Sequence, residues 1–307
     1  MKALSDSLLR LLLLPVRALG RLPLGLARAL MRPLAPIMRS LMGRRRKVVE
    51  RNLALCFPED SAAERAALCK AHFVDLADSL AETAVAWCRP GRFDRRFGEL
   101  VGLEHLEAAR ASGCGVLMLT GHATCIELGA RLVGESVTAS AIYRPLRQPV
   151  LEAFQNRGRA RYAEAMIARD DVRAMVRHLR AGGVLWYAPD QDFGPRRSAF
   201  APFFGLPTAT PTGLLDLVRL GRAQVVPMYP LKQADGRVVV HFEPAWQNYP
   251  SGDVEADLAR FNAFLERYIR LNPAQYWWLH RRFKTAPPGM PDRYAGSPSS
   301  PPLNPEP

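Results

Sequence analysis

Val116-Leu-Met-Leu-Thr120-Gly121-His122-Ala-Thr-Cys-Ile126-Glu127-Leu-Gly129 is the segment that decides how this chain folds. It opens with a short run the length of a buried strand, breaks at a glycine, and resumes as an apolar, helix-compatible stretch from Ile126. Strand, turn and helix in that order are half of a strand–helix–strand unit. Downstream the pattern repeats. Val137–Tyr143, Val184–Ala188, Gln224–Tyr229 and Val238–Glu243 read as further strands. Helices are expected around Ile126–Val133, Leu151–Met166, Val172–Leu179 and Thr212–Leu220, with a last amphipathic one over Val254–Leu271. Asp170 and Gly182-Gly183 stand where a start cap and a stop belong for the third of these. Such alternation predicts an α/β fold, an open and mostly parallel sheet flanked by helices.

Upstream, Ser61 and Glu64 have capping-box spacing. Behind them Cys69, Phe73, Leu76, Leu80, Thr83 and Trp87 recur at gaps of four and three, which predicts a helix of about two dozen residues with one buried face. Pro90-Gly91 ends it.

The 307 residues, 48% of them hydrophobic, can bury the core of one sizeable domain with appendages. The charge is uneven. Residues 1–50 carry eleven Lys/Arg against Asp6 and Glu50, a net +9 out of the chain's +13. Arg10, Arg17, Arg21, Arg28, Arg32 and Arg39 are spaced by sevens and fours, one stripe of a helix with leucines opposite. Leu8–Leu41 is rich in Leu, Ala, Val, Met and Ile and nearly devoid of Asn, Gln and aromatics, a mixture suited to an anionic membrane surface and not to nucleic acid. No uninterrupted apolar run of about 18 residues exists, and Pro15, Pro23, Pro33 and Pro36 interrupt the segment, so an anchor lying in the headgroup layer is expected, over a span or an amphipathic helix packed on the protein's own body. Residues 1–47 are accordingly expected to associate with a membrane, 48–285 to form the catalytic domain, and 286–307, with eight prolines, to be disordered. Five cysteines, an odd number without C-x-x-C spacing, suggest neither a disulfide framework nor a zinc site.

In open α/β sheets ligands gather beyond the carboxyl ends of the strands. Three such junctions are chemically rich. At the first, a base at His122 oriented by Glu127 would activate a hydroxyl nucleophile. Five residues apart on a regular helix the two would diverge by about 140°, so they meet only if His122 sits in the turn. A capping histidine beside a solvated glutamate explains the same short pattern, and one His with one carboxylate is too few ligands for a metal. The second junction, Asp190-Gln191-Asp192-Phe193-Gly194-Pro195-Arg196-Arg197, suits a phosphorylated or sugar-bearing substrate, or an ordinary salt-bridged turn. At the third, Phe203-Phe204-Gly205 leads toward Gly213 as an apolar loop, whose phenylalanines could line an acyl tunnel or belong to the core.

Taken together these segments resemble the lipid A biosynthesis acyltransferases, the lauroyl/myristoyl branch related to the glycerolipid acyltransferases and their His-x4-Asp/Glu motif. The likeness runs through Arg51-Asn52-Leu53, Cys56-Phe57-Pro58-Glu59, His122-x4-Glu127, Tyr143-Arg144-Pro145, Arg157–Asp171, Asp190-Gln191-Asp192, Phe203-Phe204-Gly205, Ala209-x-Pro211-x-Gly213 and Tyr276-Trp277-Trp278-x-His280-Arg281-Arg282-Phe283-Lys284. The resemblance implies an acyltransferase fold and an acyl carrier protein donor bearing its chain on a phosphopantetheine thioester. It also implies a Kdo-bearing lipid A precursor as acceptor, no cofactor or metal, and a location on the cytoplasmic face of the inner membrane. His122 is then the base and Glu127 its partner. Substrate binding is expected of Arg144, Arg159, Arg169, Asp190, Asp192, Arg196, Arg197, Phe203, Phe204, Arg281 and Arg282. Ala123, often aromatic in the family, puts chain-length preference in question. Related enzymes acting on phosphatidylinositol mannosides, ornithine lipids or aryl polyenes fit the same residues, and a non-catalytic membrane-binding protein fits them less well.

Overall fold

The computed structural model describes residues 2–295. Five helices come first: α1 (Lys2–Leu19), α2 (Leu24–Met31), α3 (Leu34–Leu41), α4 (Gly43–Cys56) and α5 (Ala62–Cys88). There follow β1 (Gly98–Val101), α6 (Leu103–Ala111), β2 (Val116–Leu119), α7 (Ile126–Gly134), β3 (Ser140–Tyr143), α8 (Pro149–Arg159), β4 (Met166–Ala168) and α9 (Val172–Arg180). The rest is β5 (Val184–Tyr187), β6 (Ser198–Phe203), β7 (Leu206–Pro211), α10 (Gly213–Gly221), β8 (Gln224–Lys232), β9 (Val238–Phe242) and α11 (Val254–Leu271).

Seven strands form one sheet in the order β1-β9-β8-β2-β5-β3-β4, parallel throughout except between β8 and β9. β2 lies inside it, every residue buried, which is why Val116–Leu119 reads as a continuous apolar run. The expected α/β class is thus the observed one. Four strands, β1, β4, β6 and β7, had not been expected. β4 is only three residues long, too short for an alternation, so the helix expected to reach Met166 stops at Arg159. β6 and β7 pair as a hairpin where a loop was expected, turning through Phe204 and Gly205 at φ 50° and 71°, the left-handed pair that a two-residue turn needs. Asp171 rather than Asp170 caps α9, its side chain accepting from the Ala174 N–H at 2.9 Å.

α5 begins at the expected capping box: the Glu64 N–H donates to Ser61 Oγ at 3.2 Å and the Ser61 N–H to Glu64 Oε2 at 2.7 Å. It buries more than one face. Leu80, expected inside, is 45% exposed, whereas His72, Asp78 and Glu82 are buried. The reason is what packs on it: α1 to α4 on one side, α7 and α8 on another.

That packing revises the N-terminal segment. The helices over 2–47 pack against the body of the protein. Ala27 and Ala35 are buried, and Gly20 lies so close to α5 that a Cβ would stand 2.1 Å from the Ala84 carbonyl oxygen. Two arginines of the stripe turn inward, Arg28 to Glu82 at 2.8 Å and Arg32 to Asp78 at 2.9 Å. Lys232 at the end of β8 completes the cluster, 2.5 Å from Asp75, 3.0 Å from Asp78 and 3.3 Å from Glu82. Leucines take the outer side instead: Leu8, Leu11, Leu12, Leu26, Leu30, Ile37 and Leu41 are exposed. No helix among the described residues is long and apolar enough to cross a membrane.

The C-terminal expectation also changes. Over 286–295 the chain is mostly exposed but anchored by Tyr294, which is buried, its hydroxyl donating to Asn52 Oδ1 and accepting from the Phe283 N–H at 3.2 Å. Residues 296–307 lie outside the described residues.

Candidate active site

β2 and β5 are parallel neighbours with Leu119 opposite Tyr187. His122 follows Leu119 by three residues, and Asp190 follows Tyr187 by three. The register therefore brings two residues 68 apart in sequence to the same level at the carboxyl edge of the sheet. There Asp190 Oδ1 meets His122 Nδ1 at 2.5 Å, and Oδ2 accepts the His122 backbone N–H at 2.8 Å. Gly121 makes the approach possible: a Cβ on it would lie 2.6 Å from Leu265 and 3.1 Å from the Asp190 carboxylate. The loop is held from the far side, where the Trp277 N–H donates to the His122 carbonyl at 3.0 Å and the Thr124 N–H to the Gln275 carbonyl at 2.7 Å.

Burial works against a charged imidazole at His122, yet the Asp190 carboxylate and its hydrogen bond prevail and hold the pKa above the ordinary histidine value. Asp190 itself would be pushed up by burial, but the His122 side chain and N–H keep it below the usual carboxylate range. With Nδ1 engaged and the ring about a third exposed, Nε2 is the nitrogen left for a substrate.

Glu127 does not play the part expected of it. It sits in the first turn of α7 and accepts from Trp87 Nε1 at 2.8 Å, Tyr162 Oη at 2.6 Å and the Arg159 guanidinium. Desolvation alone would raise its pKa; Arg159, Tyr162 and Trp87 overcome that and keep it ionised. The imidazole's carboxylate partner is Asp190, which had been expected to touch substrate, because α7 starts at Ile126 and directs Glu127 toward α5 and α8. Trp87 and Tyr162 were not foreseen. Trp87 lies in α5 and Tyr162 in the turn after α8, and no local pattern marks either as a partner of Glu127.

His122, Glu127 and Arg159 share a cavity of about 430 Å³, within the usual range for small-molecule sites. One end is polar, with Tyr143, Arg144, Arg169 and Gln191. Ala130, Val133, Gly134, Ala139 and Ala163 line the rest, following α7 toward its C-terminus and β3 toward its start. The cavity can thus take an amphiphile, tail along α7 and head at His122.

Expected substrate residues divide sharply. Arg144, Arg159 and Arg169 line the cavity. Arg282 is buried elsewhere, donating to the Ala209 carbonyl at 2.6 Å and to Thr210 Oγ1 at 3.0 Å. Arg281 lies 3.7 Å from Asp292 and over the Tyr294 ring. Asp192 accepts from the Thr285 N–H and hydroxyl at 2.7 and 2.8 Å, tying down the loop after β5. Phe203 and Phe204 pack with Phe57, Tyr276 and Trp278 in the core and do not line the cavity. Arg196 and Arg197 are exposed and also lie outside it. Ala123 is fully buried, bridged to Tyr276, and cannot shape the cavity wall.

An oriented imidazole at the sheet's carboxyl edge, opening on a cavity polar at one end, is a site suited to acid–base chemistry on an amphiphile. Comparison makes the class specific. The family model of bacterial lipid A biosynthesis acyltransferases matches residues 3–285, and the chain belongs to that family; it is an acyltransferase. It is 39% identical to the lipid A biosynthesis lauroyltransferase of Escherichia coli over 92% of this chain and 90% of that one. The palmitoleoyltransferase of the same organism is 37% identical over 83% of this chain and 84% of its own length. The myristoyltransferase is 30% identical over 80% and 76% respectively. The crystal structure of a 1-acyl-sn-glycerophosphate acyltransferase from Thermotoga maritima, 14% identical over 76% of this chain and 97% of that one, superposes with a TM-score of only 0.37.

Proposed function

We propose that this enzyme is a late lipid A acyltransferase, moving a fatty acyl group from an acyl carrier protein thioester to the hydroxyl of a 3-hydroxyacyl chain on a Kdo-lipid IVA-type precursor. The observation that carries the reading is His122, fixed on one nitrogen by Asp190 and presenting the other to a cavity polar at one end and apolar along its length.

His122 Nε2 removes the acceptor's hydroxyl proton as the oxygen attacks the thioester carbonyl. Asp190 holds the tautomer and stabilises the imidazolium. Negative charge then develops on the carbonyl oxygen, and Arg159, positioned by Glu127, supplies the opposing charge from the same cavity. Collapse expels the thiolate, which takes the proton back from His122. Arg144 and Arg169, at the polar end, suit the acceptor's phosphates. The exposed leucines of α1 to α3 enter the headgroup layer of the inner membrane's cytoplasmic face, with basic residues beside them at the anionic surface.

The test is transfer by the purified enzyme from a carrier-protein thioester to a Kdo-lipid IVA-type acceptor, read by mass spectrometry, together with the lipid A of cells lacking the gene. Product one acyl chain heavier, missing from those cells, is the expected result. An unchanged lipid A would assign the acceptor to another membrane lipid.

A further inference from the structure

α9 carries a surface that the chemistry above does not use. Arg173, Arg177 and Arg180 recur at gaps of four and three and are exposed along one side of this helix. Beside them Val172 and Val176, with Leu220 from α10, line a shallow groove; Val172 is 49% and Leu220 47% exposed. Of the nearby acidic groups, Asp171 caps the helix and Asp216 lies 3.6 Å from Arg219, while Asp170, just before the helix, is exposed. Arg180 is steadied by donating to the Leu220 carbonyl at 2.8 Å, whereas Arg173 and Arg177 enter no ion pair among the described residues.

Position gives the face a meaning. Arg169, four residues before Arg173, lines the polar end of the catalytic cavity and lies over the Phe193 ring. The two Cα atoms can be no more than about 15 Å apart, from the 3.8 Å Cα spacing. Arg169, Arg173, Arg177 and Arg180 thus lead outward from the cavity mouth along about 13 Å of helix at 1.5 Å per residue.

We infer that α9, with Leu220 of α10, is the docking face for a small acidic protein delivering the acyl thioester, its carboxylates meeting Arg173, Arg177 and Arg180 and an apolar contact seating on Val172, Val176 and Leu220. The inference rests on the proposed carrier-protein donor and adds where that donor binds. Charge favours an acidic occupant, because three arginines within two turns repel one another until a partner neutralises them. A lipid surface fits less well: the large exposed aliphatic residues that would enter it are on α1 to α3, and this face offers two valines and one leucine.

The experiment measures the full-length enzyme with two donors, an acyl chain on acyl carrier protein and the same chain on pantetheine alone. Arg173→Glu with Arg177→Glu should raise KM for the carrier-bound donor at least tenfold, leave its kcat unchanged and leave the pantetheine rate unchanged. Arg173→Lys with Arg177→Lys should stay within about threefold of wild type, since steering needs the charge more than the fork. Added salt should raise the wild-type KM and barely move that of the Glu variant. A Leu220→Ser variant, with thermal melting as a folding control, should raise the same KM threefold or more. An unchanged KM in the charge-reversed enzyme overturns the docking face while leaving the donor intact. Wild type inactive with carrier-bound chains overturns the donor and the docking face together. Equal losses on both donors, with weakened binding to phosphatidylglycerol vesicles, would assign the face to the membrane.

Discussion

Two clusters of paired charge meet α5, and they do different things. In one, Lys232, Arg28 and Arg32 meet Asp75, Asp78 and Glu82, so the charges balance. Its members belong to α2, α5 and β8 with one residue just past α2, and none of them lines the cavity. Burial penalises the Lys232 ammonium, but its three carboxylates keep it charged, its pKa above the ordinary lysine value. In the other, His122 and Asp190, Glu127 and Arg159 are equally well paired, yet His122, Glu127 and Arg159 each open onto the cavity. A buried ion pair is therefore not in itself a sign of catalysis. The cluster that closes on itself fastens the N-terminal helices to the body; the one that keeps an atom facing a cavity leaves that atom open to a substrate.

The contrast breaks most sharply at His122. His122→Ala should lower kcat by roughly 10²- to 10⁴-fold, the usual loss of a general base, when measured at a temperature where the variant is fully folded. Asp190→Asn should be comparably severe. Combined with His122→Ala it should add little, since a carboxylate without an imidazole has nothing to orient. Losses that multiply would give Asp190 an independent role.

On the other side, Lys232→Met should cost about 3–5 kcal/mol of stability, because buried carboxylates lose their shared cation, and lower Tm by roughly 10 °C. Turnover per folded molecule should stay at the wild-type level. The comparison fails if Lys232→Met lowers kcat at a temperature where the variant is fully folded. Removing residues 1–45 should destabilise the domain for the same reason, since Asp78 and Glu82 would lose Arg32 and Arg28.

A smaller effect sharpens the cavity's role. Ala130 lies on its wall between Glu127 and Val133. Ala130→Leu should disfavour the longest accepted donor against one two carbons shorter by about tenfold, the discrimination one or two methylenes yield in an apolar pocket. An unchanged chain-length profile would place the acyl chain elsewhere.

The pH profile separates orientation from charge. Wild-type kcat/KM should rise through a pKa above the ordinary histidine value, because the base acts when neutral and Asp190 favours its charged form. In Asp190→Asn the desolvation that lowers the pKa remains while the charge that raised it is gone. The ascending limb should move to lower pH as the plateau falls. A limb that stays in place would mean that another group titrates. The smallest expected effect is none: activity should survive EDTA, since Asp190 is already committed to His122 and Glu127 to Arg159.

Much of the fold could be read locally. The Ser61/Glu64 box, the buried run at Val116–Leu119 and the periodicity of Val254–Leu271 each concern residues within a few positions of one another, where capping and burial act directly on the chain. The α/β class, the place of His122 after a strand and the family likeness follow from such signals. What pairs with what did not. That Asp190 reaches His122 depends on β5 lying beside β2 in a particular register, and that Glu127 turns to Arg159 depends on α7 and α8 both packing against α5. Arg28 and Arg32 repeat with the same helical spacing as the stripe's other arginines, yet Arg28 is buried and the half-exposed Arg32 reaches toward α5 because α5 presents Glu82 and Asp78 there. Periodicity sorts side chains onto faces, and only the packed neighbours decide which face is buried and which charge finds a partner.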